Sequence, residues 1–157
     1  MSQLMRASLL VRRGIFGNDV IKGPLALPQN TTATLATVTG GLVEITTFFG
    51  YVSTAIGATA MNLSLGTVPL IGVASSSAIA APTPFASTPV GSWVTPVQSA
   101  GISGQLAIGA VAGNVVFLMT PVVVSAGTIT WTTTANNTGA VKWWFTWVAL
   151  DTGAALS

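Results

Sequence analysis

The 157-residue sequence predicts an all-β protein: a jelly-roll-like antiparallel β-sandwich with an irregular N-terminal arm. Three observations predict this fold. Short apolar or alternating segments follow one another along the chain, turn residues such as Gly, Pro, Asn and Ser separate them, and no long helical periodicity follows residue 22. Regularly punctuated strands are typical of sandwiches and not of parallel α/β sheets. We therefore divide the chain into an arm, residues 1–22, and a β-sandwich domain, residues 23–157.

The arm holds most of the charge in the sequence. Charged residues make up only 5% of the chain, and none occurs from Ile45 to Val141. A charged N-terminal segment of this kind either orders against a neighbouring protein or is a frayed terminus. Under the first interpretation, its basic residues are candidates for contacting a partner: Arg6, Arg12 and Arg13.

The segment "LVEITTFFGYVS", residues 42–53, is the first clear strand of the sandwich. Strict alternation places Val43, Ile45, Thr47, Phe49 and Tyr51 on one face, which we assign to the core. Leu42, Glu44, Thr46 and Phe48 then lie on the outer face, and Phe48 becomes a candidate interface residue. Gly50 marks either a bulge or a close approach of another chain segment.

The C-terminal segment "AGTITWTTTANNTGAVKWWFTWVAL" predicts a hairpin whose turn is "ANNTG". Ile129, Trp131 and Thr133 share one face of its first strand. On its second strand, alternation divides the residues between two faces. Val141, Trp143, Phe145 and Trp147 face the core, and Lys142, Trp144, Thr146 and Val148 face outward.

Trp144 is the clearest candidate interface residue in the sandwich. A large aromatic ring on an outer face is buried either by another subunit or by a local loop. Glu44 and Lys142 share this outer side, where they either pair across a sheet or subunit boundary or stay solvated.

Residues 106–126 allow a different interpretation, since "LAIGAVAGNVVFLMTPVVVSA" is uncharged and long enough for a transmembrane helix. Asn114 and Pro121 interrupt it, and no basic residue flanks it. Two buried strands around a turn fit the segment better. We therefore expect no membrane partner.

The side chains needed for most catalysis are scarce. The sequence has no His and no Cys, and its only acidic residues, Asp19, Glu44 and Asp151, are far apart. General acid–base catalysis, thiolate chemistry and metal binding therefore lack candidates. No phosphate-binding motif occurs, and the Lys and Arg residues form no stripe for nucleic acid. We expect no enzyme activity, cofactor, small-molecule substrate or nucleic-acid partner.

Two stretches resemble small structural proteins of tailed bacteriophages: "TVTGGLVEITTFFGYVSTAIGATAMNLSL" and "AGTITWTTTANNTGAVKWWFTWVALDTGAAL". The resemblance implies a capsid decoration or cement protein on the virion surface, an oligomeric β-sandwich, commonly a trimer, that bridges subunits of the major capsid protein. It supplies no catalytic residues and does not include the basic arm. A tail, fibre or head-spike component that contacts the host is the alternative within the virion, with Pro82–Pro96 as the candidate contact loop. The near-absence of charge agrees with either role, because a surface buried in an assembly needs few charges.

Overall fold

The computed structural model describes residues 17–70, 77–99, 102–109 and 121–157, and every regular element in these ranges is a strand. The eleven strands are β1 (Asn18–Ala26), β2 (Thr32–Thr39), β3 (Val43–Thr54), β4 (Asn62–Pro69), β5 (Ser77–Pro84), β6 (Trp93–Ser99), β7 (Ile102–Gly109), β8 (Val122–Val124), β9 (Gly127–Thr133), β10 (Ala140–Ala149) and β11 (Ala155–Leu156).

These strands form two antiparallel sheets. Sheet A has the order β1-β10-β3-β6-β7, and β8 pairs with β3 beside β6. Sheet B has the order β5-β4-β9-β2-β11. A single parallel contact, Ala80 with Gly104, joins β5 to β7 and connects the sheets along one side. The prediction of an all-β sandwich is confirmed.

The jelly-roll connectivity stays a prediction, and the strand pairing supports it. β1 pairs with β10, β2 with β9 and β3 with β8, so the first part of the chain runs antiparallel to the last part. Successive strands of this double ribbon alternate between the sheets, as in two interlocked Greek keys.

The core lies between the sheets and is mainly aliphatic and aromatic. Trp131 of sheet B meets Trp143 of sheet A edge-to-face, with ring centroids 5.8 Å apart. Within sheet A, Phe48 stacks on Phe145 at 4.3 Å. Because such rings bury large apolar areas, this cluster is the main source of the hydrophobic stabilisation that holds the two sheets together.

The predicted C-terminal hairpin is wrong, although the face assignments of its two strands are confirmed. Ile129, Trp131 and Thr133 are buried on β9, but β9 pairs with β2 and β4, whereas β10 pairs with β1 and β3. The connection between β9 and β10 therefore crosses from sheet B to sheet A. Both strands have large apolar inner faces, and packing them across the core buries Trp131 against Trp143.

One other sequence prediction needs correction. The boundary of the arm after residue 22 falls inside β1, so residues 18–22 belong to sheet A. The preference for strands over a transmembrane helix in residues 106–126 is confirmed at both described ends, since 106–109 lie in β7 and 122–124 form β8. Across the residues that the structure describes, no helix is long and apolar enough to span a membrane.

Loops from the two phage-like stretches contact each other at both ends of the sandwich. At one end, the Leu42 N–H after the Gly40–Gly41 turn donates a hydrogen bond to Asp151 Oδ2 at 2.7 Å. At the other end, Asn137 Nδ2 donates to the carbonyl oxygens of Gly57 and Thr59 at 3.0 and 2.8 Å. Together with the β3–β10 and β4–β9 pairings, these contacts make the two stretches one packed unit.

Candidate functional site

The outer face of sheet A is the candidate functional site, and β10 crosses its middle. Alternation on β10 is uninterrupted: Trp143 and Phe145 are at most 1% exposed, whereas the residues between and beside them are half-buried on the other side. The predicted orientation of Trp144 is therefore confirmed. The outward-facing residues of β10 are Lys142, Trp144, Thr146 and Val148.

A β-bulge in β3 determines which aromatic residues join Trp144. The register against β10 shifts between Thr146 and Trp147, which pair with Thr47 and Ile45, so Thr46 is the extra residue of the bulge. An extra residue reverses the alternation beyond it. Val43 and Ile45 thus face the core as predicted, but past the bulge Phe48 faces inward and Phe49 faces outward.

The assignment of Phe48 to an interface is therefore wrong. Its side chain is 1% exposed and lies in the core, with ring contacts to Trp143 and Phe145. Strict period-2 alternation through residues 42–53 predicts the wrong face for Phe48, because no turn residue in "EITTFF" reveals the bulge. Phe49 and Tyr51 take the outer positions instead.

Four aromatic side chains form a connected cluster on this face: Phe49, Tyr51, Trp93 and Trp144. Trp144 stacks nearly parallel to Phe49, with centroids 5.1 Å apart and planes at 14°. Trp93 contacts Phe49 and Tyr51, both at 5.3 Å, and Trp144 at 6.5 Å. Each residue is only half-buried, so the rings shield one another and still present apolar surface to the outside.

Lys142 supplies a positive charge beside this cluster. Its Nζ lies 4.9 Å from the centroid of the Trp144 ring, within the range of a cation–π interaction. Because Phe49 stacks on Trp144 and Lys142 lies over it, this indole is closely surrounded within its own subunit. Packed rings beside one cation are better suited to binding another protein than to binding a small ligand, because a small ligand needs an open ring face to stack on.

The other half of the same face is aliphatic and carries a negative charge. Glu44 is flanked in register by Val148 of β10 and Val123 of β8. The side chain of Val123 is 56% exposed. We call Phe49, Tyr51, Trp93, Trp144 and Lys142 the aromatic half, and Glu44, Val123 and Val148 the valine half.

The structure brings only some of the predicted site residues together. Trp144, Lys142 and Glu44 share the outer face of sheet A, and Phe48 does not. The candidate docking residues Arg6, Arg12 and Arg13 lie outside the described residues. Sequence reasoning missed Phe49, Tyr51 and Trp93 as site residues: the first two because of the bulge, and Trp93 because nothing in the sequence shows that β6 lies beside β3.

The outer face of sheet B differs from that of sheet A, because hydroxyl groups dominate it. Thr32 and Thr132 share a hydrogen bond of 2.7 Å between their Oγ1 atoms, and Thr130 Oγ1 donates to the Gly66 carbonyl at 3.3 Å. A shallow depression of about 320 Å³ lies on this face, lined by hydroxyl-bearing and apolar residues without any charge. Within the described ranges, no three side chains of His, Cys, Asp or Glu come together to hold a metal.

Comparison with protein families, with curated proteins and with solved structures finds no match to this chain.

Proposed function

We propose that this chain is a structural protein of a tailed-phage virion, a capsid decoration or cement subunit without enzymatic activity. It would bind the major capsid protein at the capsid surface as a homo-oligomer. The observation that carries the proposal is the outer face of sheet A, where four aromatic residues form a half-exposed cluster on a nearly uncharged chain. Large permanent interfaces have this composition: rich in aromatic residues and poor in charge.

The packing of the two phage-like stretches supports the same proposal. Their strands pair with each other, and their loops form hydrogen bonds to each other at both ends of the sandwich. The resemblance thus covers one continuous structural unit, which includes most of the aromatic half. As a cement protein, the chain would stabilise the shell by mass action, because each bound copy favours the assembled capsid over its separated subunits.

A tail, fibre or head-spike role is the second candidate, and the segment Pro82–Pro96, which runs from the end of β5 to the start of β6, bears on it. A host-contacting tip would present aromatic side chains from this segment. Phe85 is instead fully buried, and Trp93 packs into the aromatic cluster. These positions favour a role on the capsid shell over a role at a host-contacting tip.

The location is tested on purified virions of the phage that encodes the chain. We expect mass spectrometry to find the chain in many copies per particle, and antibody labelling in electron micrographs to mark the head. Labelling confined to the tail or fibres would support the second candidate and contradict the first. Absence of the chain from virions would overturn both.

The role of the aromatic cluster is tested with two neighbouring tryptophans. Trp144→Ala is expected to weaken self-association strongly, while its unfolding free energy falls by only about 1 kcal/mol, because its ring contacts are on the surface. Trp143→Ala, the matched core variant, is expected to lose about 3–5 kcal/mol of unfolding free energy. Sedimentation velocity measures association, and urea denaturation measures stability. A Trp144→Ala variant that keeps the wild-type mass would contradict burial of this face between copies.

A further inference from the structure

The outer face of sheet A carries opposite charges at its two ends. Lys142 lies in register with Tyr51, and Glu44 lies in register with Val148. Positions 142 and 148 of β10 are about 20 Å apart at the usual rise of a strand. Lys142 and Glu44 are therefore too far apart to form an ion pair within one chain, although both lie on the same face.

The apolar residues of this face are also placed in two matching positions. β6 pairs with β3 at Gly50 and Tyr51, and β8 pairs with the same flank of β3 at Val43–Ile45. Trp93 and Val123 therefore occupy corresponding places beside the two ends of β3. One carries a large half-buried ring, and the other a small side chain that is 56% exposed.

We infer that the outer face of sheet A is a two-fold interface between two copies of this chain. An axis lying across the strands, between Trp144 and Thr146 on β10, exchanges the two ends of the face. With a second copy placed face to face by this axis, Lys142 of each copy lies over Val148 of the other, diagonal to Glu44 on the neighbouring strand and within reach of its carboxylate. Trp93 of each copy then lies over Val123 of the other. A self-complementary patch of this kind forms every contact twice.

The size of the face fits such a contact. β10 contributes ten residues, and strands β1, β10, β3 and the β6/β8 flank lie side by side, which gives roughly 600 Å² per copy at standard strand dimensions. Stable interfaces bury about 800 Å² per partner, and about 1,000 Å² in total is the lower bound for a specific contact. The third charge on the face, Asp19, lies on the outermost strand, where it accepts a hydrogen bond from Thr146 Oγ1 at 2.9 Å.

The inference rests on the self-association part of the proposed function and replaces the three-fold symmetry that the resemblance implies. A three-fold oligomer needs two different patches that fit each other. Lys142 with Glu44, and Trp93 with Val123, come together when this one face is turned end for end. Self-pairing through one sheet face therefore points to two copies and not three.

Charge reversal tests the inference with purified full-length chains. We expect wild type to sediment at twice the chain mass of 15.9 kDa. Glu44→Lys opposes two lysines across the interface, and Lys142→Glu opposes two glutamates. Each variant alone is expected to raise the dimer dissociation constant more than about tenfold, because like charges meet twice per dimer.

The decisive sample is an equimolar mixture of the two variants. In the mixed dimer every facing pair has opposite charges again, so we expect the mixture to recover the dimer, with native mass spectrometry finding one copy of each variant. The double variant Glu44→Lys/Lys142→Glu is expected to dimerise by itself. The neutral variants Glu44→Gln and Lys142→Gln are the matched controls that remove a charge without adding repulsion, and Lys142→Gln also measures the loss of the cation–π contact. Circular dichroism and melting curves check that every variant is folded.

A mixture that stays monomeric, or single variants that keep the wild-type association, would overturn the inference. A wild-type particle at three times 15.9 kDa, insensitive to both reversals, would also overturn it. Either result leaves the virion proposal in place if the chain is found on capsids. A charge-dependent dimer from a chain absent from virions would instead support the interface and contradict the virion proposal.

Discussion

At the residue scale, Gly50 of β3 lies directly against Val141 and Trp143 of β10. A Cβ at this position would lie 2.8 Å from Val141 Cγ1 and 2.9 Å from Cε3 and Cζ3 of Trp143. Trp143 is fully buried and touches Phe48 and Trp131, so its ring has no free space to move into. Of the two interpretations that the sequence allows for Gly50, the close approach is confirmed, and the bulge lies at Thr46 instead.

Gly50→Ala is expected to lower the unfolding free energy by about 1–3 kcal/mol, since an added methyl overpacks a rigid part of the core. Chemical denaturation measures this loss. In a Trp143→Phe background the same substitution is expected to cost less, because the ring atoms that it meets are gone and the two changes are coupled. Equal costs in both backgrounds would show that the indole is not the obstacle.

Trp143→Phe suits this purpose because the indole N–H of Trp143 is buried and has no hydrogen-bond partner among the described residues. A buried donor without a partner costs about 1–3 kcal/mol. Replacing the indole removes that cost and offsets part of the lost packing. Trp143 thus stabilises the core through its shape and apolar area, and not through its polar group.

At the scale of elements, the connection between β9 and β10 depends on one amide side chain. Asn137 is 7% exposed, donates to two carbonyls of the β3–β4 loop, and accepts from the Thr138 N–H at 2.9 Å. The connection between β9 and β10, which contains Asn137, carries the chain from sheet B to sheet A. The Asn137 amide therefore ties together the two connections at one end of the sandwich.

Asn137→Ala is expected to lower the unfolding free energy by about 2 kcal/mol, because the carbonyls of Gly57 and Thr59 lose their donor. The neighbouring Asn136 is exposed, and Asn136→Ala is the matched control, with an expected change within about 0.5 kcal/mol. Thermal and urea denaturation of both variants measure the difference. Equal stability of the two variants would contradict the structural role of Asn137.

The two strands of the candidate site differ in how far the sequence predicted them. On β10 the pattern from Val141 to Val148 has no irregularity, so simple alternation places every side chain on its observed face. On β3 the same rule works up to Ile45 and fails after the bulge at Thr46. The bulge depends on pairing with β10, which is distant in sequence. The local sequence Thr46-Thr47 contains nothing that indicates a bulge.

At the scale of the whole molecule, the turn residues that separate the short segments predict the all-β class. They do not predict which strands belong to which sheet. The short spacing between β9 and β10 is typical of a hairpin, yet the chain uses it to cross the core. What decides the outcome is the burial of Trp131 against Trp143, which a hairpin within one sheet does not provide. Long-range packing of this kind is not visible in local sequence patterns.

Truncation distinguishes the arm from the sandwich. A chain lacking residues 1–16 keeps all of β1, and we expect it to retain the wild-type melting temperature and oligomeric mass but to lose attachment to the capsid. A chain lacking residues 1–22 also loses the pairing of Asn18 to Lys22 with β10, and its melting temperature is expected to fall by roughly 10 °C. Cosedimentation with capsid shells measures attachment. Full attachment of the shorter deletion would contradict a docking role for Arg6, Arg12 and Arg13.

The position of β1 has a further consequence, for solubility. Among the described strands β1 is the outermost of sheet A, and it covers the backbone of β10 along most of its length. β10 is rich in aromatic and β-branched residues and contains no proline, a composition that favours cross-β aggregation when a strand edge is exposed. β1 carries Asp19, Lys22 and Pro24, residues that discourage further strands from adding to an edge. The first strand of the sandwich therefore also protects the protein from forming fibres, and conditions that detach it are expected to precipitate the protein before they unfold it.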